Sequence, residues 1–188
     1  MYRLISEKAD RREPDRTCAQ HNGRPAMDQR RVYDIVNAAL EKLVRKDSFL
    51  LEYDANERTI THRLAIYLAE ELHDWDVDCE YNRHIHAKKE IVLRLINQGY
   101  TELLQKRYSV DEMPDSLTVF PDIVVHHRGT DDSNLLVIEA KKTSSTAMDD
   151  EFDRCKLIAY KSQFGYRFAA FIRFCSGDKP GFEPPEWL

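Results

Sequence analysis

Residues 119–142, VFPDIVVHHRGTDDSNLLVIEAKK, hold two short apolar runs whose hydrophobic residues fill consecutive positions rather than alternate ones. A strand sends successive side chains to opposite faces, so a run that is apolar at both parities has to be covered on both sides. That calls for central strands of a sheet flanked by helices. Each run also carries a carboxylate that a covered strand disfavours. Asp122 opens the first, and Glu139 stands late in the second with Lys141 two places on.

The surrounding pattern supplies the flanking elements. From Asp28 the residues Val32, Ile35, Val36, Ala39, Leu40 and Leu43 recur at helical spacing up to about Arg45. After the short run SFLLEYD, the segment ANERTITHRLAIYLAEELHDW places Ile60, Leu64, Tyr67, Leu68 and Leu72 on one helical stripe. DVDCEYNR alternates Val77, Cys79 and Tyr81 against Asp76, Asp78 and Glu80, the period of a half-exposed strand. Residues 84–118 read as an insertion with a helix from about Lys88, interrupted near Gly99, and a polar loop around Met113 to Ser116. The two apolar strands follow, joined by RGTDDSN; then come a helix from about Met148 to Gln163, closed by Gly165, and a last strand in YRFAAFIRF.

This gives an α/β domain over 28–175, preceded by a polar arm at 1–27 in which Pro14, Gly23 and Pro25 interrupt any period. The tail 176–188, SGDKPGFEPPEWL, carries three prolines and is expected not to continue a ladder, but to lie on the surface or dock through Trp187.

Composition narrows the function classes. Hydrophobic residues at 42% and charged residues at 32% suit a globular protein, and no apolar run nears the ~18 residues of a membrane span. The charged N-terminal residues match neither a signal nor a transit peptide, so the expected location is the cytoplasm. Cys18, Cys79, Cys155 and Cys175 form no close pair, which argues for reduced thiols rather than a disulfide or zinc framework. The net charge of −5 disfavours a nonspecific nucleic-acid coat but leaves room for a local basic groove.

On their strands, Asp122, Val124 and His126 share one face, as do Leu135, Val137, Glu139 and Lys141. Pairing of the two strands brings Asp122 and Glu139 together. Adjacent carboxylates raise each other's pKa, a cost that a bound divalent cation removes, and oxygen donors suit Mg²⁺ with Mn²⁺ as a substitute. An ammonium at Lys141 beside that cation can orient a water or stabilise charge developing at phosphorus. The reaction such a trio serves is phosphodiester hydrolysis.

Pro121-Asp122 followed by Glu139-Ala140-Lys141 resembles the PD-(D/E)xK nuclease superfamily, over roughly residues 50–175. The resemblance implies a restriction-endonuclease-like core, a central mixed sheet flanked by helices in the order α-β-β-β-α-β, and that order is the one read above. It implies Asp122, Glu139 and Lys141 as catalytic residues, with Asp122 and Glu139 holding the metal. It also implies a role for Glu57 near the metal, because many members place a glutamate of the first core helix there. Locally, Asp54 and Glu57 also fit a capping box, with Asp54 as N-cap and Glu57 at the third helical position.

The expected partner is nucleic acid, DNA ahead of RNA, and cutting both strands of a duplex would call for a homodimer, since one such chain holds one site. Arg83, Lys88, Lys89, Arg94, Lys106 and Arg107 face only Glu90 and Glu102 within 83–107, which makes this the segment expected to grip phosphates. Lys156 and Tyr160, four apart on the following helix, are further candidates to reach substrate. The competing readings are a nucleic-acid-binding module of the same fold without catalysis and an interaction protein that binds no nucleic acid.

Overall fold

The computed structural model describes residues 27–81, 120–130 and 133–188, together with the backbone of short strands at 83–84, 87–88, 90–92 and 116–118. Helix α1 (Gln29–Glu52) starts at Asp28, whose side chain accepts from the Arg31 N–H at 2.8 Å. Its stripe of Val32, Val36, Ala39, Leu40 and Leu43 is buried. The helix runs past the expected end near Arg45, through a kink at Asp47 (φ −128°, ψ 29°). Two contacts explain the extension: Leu51 is fully buried, and the Asp47 carboxylate accepts from Arg63 Nε at 3.1 Å and from the Tyr67 hydroxyl.

Helix α2 (Glu57–Glu71) begins at Asn56, whose side chain accepts from the Thr59 N–H at 2.8 Å. The capping box expected at Asp54 and Glu57 is therefore corrected. Asp54 sits in the turn with φ +51° and pairs with Lys142, and Glu57 is the first residue of the helix. A shift of the cap by two residues frees the Glu57 carboxylate from capping its own helix and lets it face the sheet.

The sheet is mixed. Strands β1 (Asp76–Cys79), β6 (Ile123–His126) and β7 (Leu136–Lys142) pair antiparallel, and β8 (Phe168–Cys175) joins β7 in parallel. The parallel step is made by α3 (Ala147–Phe164), capped by Thr146 at its start and by Gly165 at φ +69° at its end. As both-parity hydrophobicity demands, β6 and β7 are buried on two faces. Ile123, Val125, Leu136 and Ile138 pack under α1 and α2, and Val124 and Val137 pack with Leu157, Tyr160 and Phe171 on the α3 side.

One expectation changes here. The helix expected from about Lys88 is absent where the backbone is described: β2 (Arg83–His84) pairs with β3 (Ala87–Lys88), and β4 (Glu90–Val92) pairs with β5 (Ser116–Thr118). The partner of Ile91 is Leu117, far along the chain, so local periodicity carried no trace of it. Residues 93–115, including Arg94, Lys106 and Arg107, and the side chains of Lys88 and Lys89 lie outside the described residues, as does the arm at 1–26.

The tail does extend the ladder. β9 (Gly181–Phe182) and β10 (Glu186–Trp187) both pair antiparallel with β8, while Pro180, Pro184 and Pro185 fall between the paired positions, where no N–H is needed. Trp187 docks as expected, stacked on Tyr33 of α1 at 3.7 Å between ring centroids.

Candidate active site

The register of β6 and β7 decides what meets at their common end. Ile123 opposes Ile138, so Asp122, one place before β6, comes opposite Glu139. Asp122 Oδ2 accepts from the Ala140 N–H at 2.8 Å, which locks the acid across the strand pair. The Pro121 carbonyl accepts from the Glu80 N–H at 3.0 Å and fixes the entry to β6. β7 runs on to Lys142 against β8; Glu139 is still covered, and the cover gives way at Lys141 and Lys142, which are half-buried.

Lys141 Nζ lies 3.0 Å from Glu57 Oε1 and 3.1 Å from Asp153 Oδ2, bracketed by the start of α2 and the middle of α3. Glu57 Oε2 also accepts from the Lys142 N–H at 3.2 Å. Lys156 Nζ lies 2.6 Å from Asp153 Oδ1 and 3.0 Å from Glu139 Oε1. The ammonium contacts to Asp153 and Glu139 are ion pairs rather than hydrogen bonds, and Glu139 Oε1 and Asp153 Oδ2 are buried oxygens without a hydrogen-bond partner. A cavity of about 370 Å³ opens beside these groups, lined by Glu57, Lys141, Asp149, Phe152, Asp153 and Lys156. A depression of equal volume, lined by Met27, Arg31, Glu71, Leu72, His73, Asp74 and Trp75, contains none of them.

Burial sets the electrostatics. It pushes the Asp122 carboxyl up to about 6, against the Ala140 N–H and the Lys141 and Lys156 ammoniums, which pull it down. It holds Glu139, 1% exposed, well above the usual carboxylate range; Lys156 opposes this, and Asp122 and Asp153 add to it. Burial by itself would lower Lys141 and Lys156, but their carboxylate neighbours outweigh it and both are held above the ordinary lysine value.

The structure thus brings together Asp122, Glu139, Lys141 and Glu57. Glu57 is near enough to raise Asp122, yet it is bonded to Lys141 rather than joined to the carboxylate pair. Two expected substrate contacts stand differently. Lys156 is spent on Glu139 and Asp153, and Tyr160 is fully buried against Phe164 and Tyr166, with a hydroxyl that has no partner. Tyr160 offers no surface to a phosphate, because it continues the inward stripe of Asp153 and Leu157 along α3.

Asp153 is a site residue that sequence patterns did not single out. Its signal was an acid at helical spacing with Leu157 and Tyr160, a position that is costly unless a cation meets it.

The donor set fits a hard divalent cation. Asp122, half-buried, and Glu139, buried, supply carboxylates at facing positions of the two strands, and Glu139 Oε1 has no partner beyond its ion pair with Lys156. Among the described residues no three His, Cys, Asp or Glu side chains converge on one point, so the pair is the core of any such site. No protein-family model, curated protein or solved structure matches the chain.

Proposed function

We propose that the chain is a divalent-cation-dependent nuclease of the PD-(D/E)xK type, built on a restriction-endonuclease-like core and cleaving nucleic acid, DNA ahead of RNA. The observation that carries this reading is the convergence of Asp122, Glu139 and Lys141 at one end of two buried, adjacent strands. Structural salt bridges do not call for two carboxylates at facing positions of adjacent strands, since each opposes ionisation of the other. Asp122 and Glu139 would hold Mg²⁺ or Mn²⁺. When bound there, such a cation supplies Lewis-acid chemistry that neutralises the pair and draws charge from a phosphate oxygen.

The chain's own residues do the rest. Glu57 and Asp153 fix the Lys141 ammonium from two sides, and the charge they confer makes it a donor rather than a base. It orients water and stabilises charge gathering at phosphorus. Ala140 N–H keeps Asp122 aimed across the strands. The basic segment with Lys88, Lys89, Arg94, Lys106 and Arg107 would grip phosphates. In support, β4 of that segment packs against α3, the helix that carries Asp153 and Lys156.

The test is incubation with labelled single-stranded, duplex and branched DNA and RNA in Mg²⁺, Mn²⁺ or EDTA. Cleavage in either metal and none in EDTA is expected. Lys141→Ala should lose roughly 10²-fold in turnover while metal binding is retained, because an ammonium stabilises the transition state without ligating a cation. Binding without cleavage would turn the reading to a nucleic-acid-binding module, and neither would turn it to an interaction protein.

A further inference from the structure

Glu57, Lys141, Asp153, Lys156 and Glu139 form one unbroken chain of alternating charge from the start of α2, through α3, to the middle of β7. The links are unequal. Lys156 meets Asp153 at 2.6 Å within the same helix, three residues apart, whereas its contact with Glu139 crosses to the sheet at 3.0 Å. Asp153 divides its two oxygens, Oδ1 to Lys156 and Oδ2 to Lys141. Lys156 can therefore leave Glu139 without leaving Asp153 and without dislodging Lys141.

We propose that Lys156 is an internal counter-ion for Glu139: it occupies the buried carboxylate while no divalent cation is bound, and it yields that carboxylate, retreating onto Asp153, when one is. This rests on the reading of Asp122 and Glu139 as the cation pair. Without a counter-ion, Glu139 at 1% exposure would stand beside Asp122 with no compensating charge. With Lys156 still in place, a divalent cation on the same oxygen would face an ammonium at contact distance, so the two occupants exclude each other. The cavity lined by Lys156 and Asp153 gives the ammonium room to withdraw. The unpartnered Tyr160 hydroxyl, one turn along α3 and electrostatically coupled to Glu139 and Asp122, is a second sign that this cluster is incompletely satisfied. Lys156 is on this account a positioning residue that sets metal affinity, not a contact to substrate.

The probe is Mn²⁺ alone, titrated into the full chain at pH 8 and followed by calorimetry and by the electron paramagnetic resonance of free Mn²⁺. Lys156→Gln and Lys156→Met should each bind at least ~10-fold more tightly than the parent, since a repelling unit charge is gone. Equal or weaker binding by folded variants, with the parent still binding, overturns the counter-ion and leaves the cation pair standing. No binding by parent or variants removes the cation pair and the counter-ion with it. A measurement on the unmodified side chain covers variants that fail to fold. In protein labelled with ¹³C at the lysine ε-carbon, the resonance absent from Lys156→Arg should shift across a Mg²⁺ titration with the midpoint of binding, and a resonance that does not move overturns the proposal.

Discussion

A carboxylate enclosed on a central strand costs several kcal/mol unless a cation or hydrogen bonds compensate it, and Glu139 meets that cost through Lys156. Asp122 meets it only in part, and its titration reflects the deficit. In protein free of divalent cations it titrates at about 6 when folded, against an ordinary 3.8 when unfolded. A raised folded value favours the protonated form on folding. Its stabilising contribution is therefore complete below about pH 4 and lost as pH rises through about 6. Asp122→Asn mimics the protonated acid and should be more stable than the parent in EDTA at pH 7.5, by at most ~3 kcal/mol, with the gain gone near pH 4. Urea melts across that range check it, and a variant no more stable at pH 7.5 than the parent would contradict the burial cost. At this scale the sequence was most legible where charge interrupted hydrophobicity: Asp122, Glu139 and Lys141 stood out because their neighbours are apolar. Asp153 was masked by Asp149, Asp150 and Glu151, acids that make the start of α3 look like a solvated face.

Element boundaries followed cap chemistry and tertiary contacts, and only the first of these can be read locally. Gly165 closes α3 with a left-handed backbone, as expected from a glycine after an apolar stripe. The start of α2 went to Asn56 rather than Asp54 because Asp54 is drawn to Lys142, a residue 88 positions away. The tail departs from its expected course for a related reason. Its prolines forbid a continuous strand but not two short pairings with gaps between them, and Glu183 N–H and Leu188 N–H donate to Arg173 and Ala169 carbonyls at 2.9 and 3.1 Å. The last turn of α1 likewise persists because Leu51 is buried in the core. Trp187 then clamps α1 through Tyr33. Trp187→Ala should lower unfolding free energy by about 1–3 kcal/mol, because the ring stacking and the edge pairing both weaken, while leaving metal affinity as it is. An unchanged urea midpoint would show that the tail contributes no packing.

For the molecule as a whole, two helices cover one face of a mixed sheet and α3 the other, with the acid–lysine cluster where β6 begins and β7 ends. No described helix is long and apolar enough to cross a membrane. The layering was legible because hydrophobicity at both parities admits few solutions, whereas the pairing of β4 with β5 depends on residues far apart in the sequence. If the basic segment grips phosphates, replacing Lys88, Lys89, Arg94, Lys106 and Arg107 together by Ser should flatten the slope of log K against log salt. The change should reach up to ~0.9 for each duplex phosphate no longer neutralised, with Mn²⁺ binding retained. Binding and cleavage equal to the parent at every salt concentration would make that segment a solvated surface.

The claim that Asp122 and Glu139, at facing positions of two strands, form a hydrolytic centre is tested most directly by a cleavage time course with saturating Mg²⁺, comparing the parent with Asp122→Asn and Glu139→Gln on the nucleic acid the parent cuts best. These changes preserve shape and remove charge, so both variants should stay folded and lose roughly 10³-fold or more of the rate. Near-parental cleavage by either folded variant, or a parent that cuts none of the nucleic acids offered, would contradict the account.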